Sequence, residues 1–212
     1  MGIVETIALS MGLGWASGLN LYATLFMLGA LQQTGNIALP SELLVVADPF
    51  VMAAAGFMYC VEFFADKLPG VDTGWDAIHS FVRIPAGAIL AAQAVGPVSP
   101  ATALAAGLLG GSLAAGSHAL KASSRVAINA SPEPVTNWTA SLTEDALVIG
   151  GLWTALHYPL AFLVGLVVFV ALCAWLLPKL WRGLKRGFAV IARPFRNEPA
   201  GRVASVHLDD TR

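Results

Sequence analysis

Apolar residues run through this chain in stretches of about twenty or more, cut by short punctuation of Pro, Gly, Asn and charge. A helix that crosses a bilayer needs about 20 mostly apolar residues. On that measure the pattern predicts six segments, 3–31, 49–68, 72–95, 100–129, 134–157 and 159–178. Gly12, Gly14, Ser17, Gly18 and Asn20 interrupt the first, which therefore reads as either one kinked span or a re-entrant hairpin. Pro40 and Asp48-Pro49 punctuate the connection 32–48, and Pro49 is placed to open the next helix. Pro178 closes the last apolar run. Beyond it, bases alternate with Leu180, Trp181, Leu184 and Phe188, so 179–196 reads as a basic amphipathic interfacial helix and 197–212 as a solvated tail. The expected fold class is all-α, a polytopic helical membrane protein with its transmembrane domain in residues 1–178.

The polar positions inside these segments are spaced, not scattered. Asp72, Asp76, His79 and Arg83 follow steps of four, three and four, which is one stripe of a helix. His118, Lys121, Arg125 and Asn129 repeat the device in the fourth segment. Tyr59, Glu62 and Asp66 share a face of the second, and Asn137, Ser141 and Glu144, with Asp145 beside them, share one of the fifth. Each Asp, Lys or Arg at a span centre costs about 2.5 to 3.5 kcal/mol on insertion scales, so the stripes should converge away from lipid. The expectation is Glu62, Asp66, Asp76 and Glu144 or Asp145 opposite Arg83, Lys121 and Arg125, around a wet space open to the cytoplasmic side. At roughly 1.5 Å per residue from the turns near 70 and 132, Asp76 and Arg125 lie about 6 Å deep and Arg83, His118 and Glu144 about 15 Å. The other half is small and apolar, with Ala103, Gly107, Gly111 and Ala115 forming a small-residue face for close helix contact.

Composition agrees with a membrane setting. The 212 residues are 57% hydrophobic and 12% charged, with a mean hydropathy of +0.71. A formal net charge of −1 excludes nucleic-acid binding by overall charge. Residues 1–178 hold four bases and ten acids, whereas 179–212 hold eight bases and three acids, so the positive-inside rule places the C-terminus in the cytoplasm. Six spans then place the N-terminus there too, and Trp75, Trp138, Trp175 and Trp181 fall near the inner boundary. No cleavable signal peptide is readable, since Glu5 stands where a basic region would be. Cys60 and Cys173 lie in separate apolar runs and are expected as two buried thiols, not a disulfide.

A shift of 63 residues lays segments two and three on four and five, matching Asp66 to Asn129, Pro69 to Pro132, Thr73 to Thr136 and Trp75 to Trp138. This reads as either a parallel hairpin repeat or chance similarity in an Ala/Gly-rich chain. The Gly14/Gly18 and Gly107/Gly111 pairs are explained by packing within one chain. No nucleotide-binding loop, nucleophile elbow or Cys-rich metal motif is present, and no cofactor is expected. Asp72, Asp76, His79 and Glu62 are chemically capable of binding a metal, which keeps a membrane-embedded metal hydrolase as a third alternative.

Ser17-Gly18-Leu19-Asn20, the turn Asp66-Lys67-Leu68-Pro69-Gly70-Val71-Asp72, Trp75-Asp76-Ala77-Ile78-His79 and Arg83-Ile84-Pro85-Ala86-Gly87 together resemble a bacterial integral-membrane family, domain of unknown function 4126, over residues 5–178. The resemblance implies a helical membrane fold and no settled activity. A fainter likeness, through Arg83 to Gly87 and the first segment, is to DedA-type membrane proteins linked to lipid-carrier translocation.

The intramembrane charges read in two ways: as a polar pathway or as internal ion pairs that fix helix register. In the first, the chain is a small inner-membrane transporter or lipid-headgroup translocase. Arg83, Lys121, Arg125 and Asn20 then bind an anionic small molecule or headgroup. Glu62, Asp66, Asp72, Asp76, His79, His118, Glu144 and Asp145 balance charge or carry coupling protons. In the second, it is a non-catalytic structural or accessory subunit. Membrane lipids are the expected partners in both, with a homo-oligomer or a partner membrane subunit as further options.

Overall fold

The computed structural model describes residues 2–68, 70–129 and 134–196, and every regular element among them is a helix. The order is α1 (Ile3–Gln33), a 3-10 helix (Ser41–Ala47), α2 (Pro49–Ala65), α3 (Val71–Ala94), α4 (Pro100–Asn129), α5 (Pro134–His157) and α6 (Pro159–Arg196). Each α-helix overlaps one of the six apolar segments, although α6 runs well past the last of them. The Pro69–Pro132 match, the turn 130–133 and the 197–212 tail lie outside the described residues.

Local chemistry sets the boundaries. The Asp48 carboxylate accepts from the Phe50 and Val51 amides and Pro49 follows it, so the expected start of α2 is found. Proline also opens α4, α5 and α6. Gly96, at φ 70°, follows α3 where the chain must turn left-handed. The helix of the last segment does not stop at Pro178. It runs on to Arg196, and Lys179 lies over the Trp175 ring at 3.2 Å, so the separate helix expected from 179 is a continuation of α6. Two helices, α4 and the Pro159–Gly183 part of α6, are long and apolar enough to cross a membrane. The 3-10 helix and α2, bent by 62°, together make a third such stretch.

The first helix is the axis of the molecule. It contacts every other element, and its residues from Leu13 to Leu21 are all buried. A helix apolar on all sides has no surface face to offer water, which fits this central position. It is a single helix kinked at Asn20, not a hairpin. Close approach depends on glycine: a Cβ at Gly14 would strike the Gly110 backbone, and one at Gly18 would strike the Ala114 carbonyl.

The buried row of α4 is Ala106, Gly110, Ala114, Ser117, His118, Lys121 and Arg125. The expected row of Ala103, Gly107, Gly111 and Ala115 is only half-buried beside it, with Gly107 and Gly111 against Ala88 of α3. The apolar rows and the polar row are one surface, because α4 uses the same face along its length. Both cysteines are free, but Cys60 is exposed and only Cys173 is buried, since Cys60 points away from the face that carries Glu62.

Candidate functional site

The stripe on α3 holds its predicted form. Asp72, Asp76, His79 and Arg83 are all buried, and Gly87, Leu90, Ala91 and Ala94 continue the same face as apolar core. Opposite it, α2 contributes Glu62 and, at its end, Asp66; α4 contributes Lys121 and Arg125; α5 contributes Glu144. Arg83 reaches Glu62 Oε1 at 2.6 Å through Nη2 and Asp76 Oδ1 at 2.7 Å through Nη1. Lys121 Nζ donates to Asp66 Oδ2 at 2.7 Å and Glu62 Oε1 at 3.2 Å, with Glu144 Oε2 at 3.4 Å. Arg125 Nη2 donates to Glu144 Oε2 at 2.7 Å, and its Nη1 holds the backbone carbonyls of Asp66 and Asn137. The convergence expected from spacing is found, with Glu144, not Asp145, as the α5 member.

Among the described residues, these groups are buried against one another. Arg83, Arg125 and Glu62 have no exposed side-chain surface, and Glu144, at 13%, is the most exposed member of the network. The physical reason is size. Three long cationic side chains fill the space between four helices and take the carboxylates as their solvent, as a buried charge requires.

The polar network meets the break in α1. Asn20 has non-helical backbone angles (φ −148°, ψ 98°), so the helix restarts after it. Its side-chain oxygen accepts from the Ala23 amide at 2.9 Å, as an N-cap does, and its amide nitrogen donates to Asp145 Oδ1 at 3.0 Å. The Leu19 carbonyl, at the C-terminal end of the first half, accepts from Lys121 Nζ at 3.1 Å, and the Trp15 carbonyl accepts from Ser117 Oγ at 2.8 Å. One ammonium thus serves a helix end and four carboxylates, the farthest being Asp76 Oδ1 at 3.9 Å.

The histidines stand beside the ion pairs. Arg83 Nη1 can only donate, so His118 Nδ1, 3.2 Å away, accepts; its Nε2 then donates to Ser80 Oγ at 2.6 Å, and His118 is neutral. His79 Nδ1 donates to the Trp75 carbonyl at 2.9 Å, and its Nε2 faces the Tyr22 hydroxyl at 3.1 Å. Asp72 is held by amides instead: Asn129 Nδ2 donates to both its oxygens, the Gly70 and Thr73 amides to one, and Asn137 Nδ2 to Asn129 Oδ1. The structure therefore does not bring Asp72 and His79 into the charge network. Among the described residues, no three His, Cys, Asp or Glu side chains are grouped to hold a metal ion: Glu62 and Asp76 share Arg83, while Asp72 and His79 are held by other partners.

Three positions that pack into the polar network were not legible in the sequence. The Leu19 carbonyl has no side-chain signal. Tyr22 was hidden in an apolar run. Lys67, buried with its ammonium 2.9 Å from the centre of the Phe63 ring and 2.9 Å from the Phe63 carbonyl, was legible only as part of a turn. With Lys67, all four bases of residues 1–178 are buried.

No curated protein and no solved structure matches the chain at a significant level. One family does, through its sequence profile, over residues 7–179, a range that takes in the kink of α1 and every member of the charge network. The chain belongs to the family described as Domain of unknown function (DUF4126).

Proposed function

We propose that this protein is a small transporter or lipid-headgroup translocase of the bacterial inner membrane. In this reading it has six spans, a cytoplasmic C-terminus marked by the basic tail, and the charge network toward the cytoplasmic side. The observation that carries the reading is the meeting of a broken helix with buried charge: Lys121 holds both the freed Leu19 carbonyl and the carboxylates of Glu62 and Asp66. Discontinuous helices that present backbone to a charged centre are a recurring way to build a transport site. The described arrangement is then a closed state. Glu62, Asp76 and Glu144 occupy the places on Arg83, Lys121 and Arg125 that an anionic group takes when it displaces them, and α1 moves about Asn20. The likeness of Arg83 to Gly87 to DedA-type proteins suits a phosphate-bearing lipid as cargo.

The test is flux of anionic solutes and scrambling of anionic lipids in proteoliposomes, with Arg83→Ala and Glu144→Gln as variants. Loss of activity in both supports the reading, and unchanged activity in both removes it. A second reading, a structural or accessory subunit, is favoured by the burial of all three bases on carboxylates. Co-purification with a partner membrane protein at fixed stoichiometry, with no flux in liposomes, would select it.

A further inference from the structure

The ion network does not balance. Its bases are Arg83, Lys121 and Arg125, three charges, all donating to carboxylates. Its acids are Glu62, Asp66, Asp76 and Glu144, four charges. Neither histidine makes up the difference: His118 accepts from Arg83 and is neutral, and His79 has no carboxylate within 4 Å among the described residues. Around the edge, buried Lys67, in the turn after α2, donates to Ser141 of α5 and is offset by the buried carboxylates of Asp145 and of amide-held Asp72, so the surroundings add no surplus of positive charge. Tyr22, from α1, brings only a hydroxyl.

The hydrogen bonds lean the same way, with acceptors in excess of donors. Glu62 Oε2, Asp66 Oδ1 and Asp76 Oδ2 are buried without a hydrogen-bond partner, while each sister oxygen is engaged by a base; on the donor side Arg83 Nε and Arg125 Nε are also unpartnered, so three unmet acceptors stand against two unmet donors. One acceptor in excess of the donors and one unmatched negative charge, both buried, are met together by a single proton, a donor that occupies almost no volume. An unpaired charge in such a place is neutralised by proton uptake, because desolvation weighs far more on a carboxylate than on a carboxylic acid.

We propose that the network centred on Lys121 holds one exchangeable proton on one of its four carboxylates. The proton arrives from solvent on a carboxylate oxygen and returns to solvent when that group ionises, with no other bond made or broken. Resting on the transport reading above, this makes the proton the coupling ion: a carboxylate that takes up a proton releases its base, and that base becomes free for an anionic group. Charge then balances when each added negative charge enters with one further proton.

The test is infrared spectroscopy of the full-length protein in lipid at neutral pH, reading the deuterium-sensitive C=O stretch of a protonated carboxyl. Wild type is expected to show the equivalent of one such group in the network. Glu62→Gln, Asp76→Asn and Glu144→Gln, each of which leaves three acids against three bases, are each expected to lose it. Asp72→Asn, which removes an amide-held carboxylate, is expected to keep it. Glu144→Gln lies at the edge of the network and preserves shape, so it reports even if a deeper variant fails to fold. No band in wild type, or its survival in every folded amide variant of the network, overturns the proposal, as does a sodium or potassium requirement that replaces it. Because the band is read without transport, its absence in a protein that still moves anions removes the proton and leaves the transporter. A band without flux does the reverse.

Discussion

Asn20 and Asp145, 125 residues apart in sequence, are joined by a hydrogen bond of 3.0 Å that pins the break in α1 to α5. The same Asn20 side chain caps the Ala23 amide. Asn20→Ala removes both bonds, and a loss of about 2 kcal/mol is expected from a cap and a buried hydrogen bond together. Thermal unfolding in detergent should show it. Asn20→Asp keeps the cap but sets a second carboxylate against Asp145, and should be no more stable than the alanine variant.

Lys121 touches more of the network than any other residue. Lys121→Met should destabilise strongly, since removing one partner of a buried ion pair costs about 3 to 5 kcal/mol. Adding Glu62→Gln should recover part of the loss, and a double-mutant cycle on unfolding midpoints measures how much. An additive double variant would show that the two charges do not interact.

Glycines separate by what faces them. Gly110 and Gly14 lie backbone to backbone, so Gly14→Ala should lower the unfolding temperature and Gly14→Leu should abolish folding. Gly116 and Gly150 face open space within their helices. Alanine at either should be neutral or stabilising by up to about 1 kcal/mol, the helix-propensity difference. A reversal of this order would contradict the α1–α4 contact.

Cys60 is exposed on α2, whereas Cys173 is buried in α6. A membrane-permeant maleimide should label Cys60 first in folded protein and Cys173 only after unfolding. Mass spectrometry of timed digests distinguishes the two sites, and non-reducing conditions should show no crosslink between them.

The site was legible wherever helical spacing aligned charges. Steps of four, three and four from Asp72 to Arg83 define one face, and that face is buried. Spacing assigned sides but not partners. Glu144 and Asp145 differ by one position, about 100° around the helix, and only packing against α1 decides that Asp145 meets Asn20 while Glu144 meets Arg125. The central place of α1 was illegible for the opposite reason: small and apolar residues on every side leave no stripe to read. The offset of one residue in the small row of α4 has the same origin, since adjacent rows of Ala and Gly look alike until Gly14 selects Gly110.

The ion network also bears on how such a chain comes into being. Synthesis delivers α2 with Glu62 and Asp66 before the bases that neutralise them exist, and Lys121 lies 55 residues after Asp66. Helix α4 arrives with two cations and no acid of its own. In the bilayer setting proposed above, neither can settle singly in hydrocarbon. The nascent hairpins must linger at the insertion machinery until α4 supplies Lys121 and Arg125, so a ribosome stalled after α3 should leave a product that is still extractable and open to proteases.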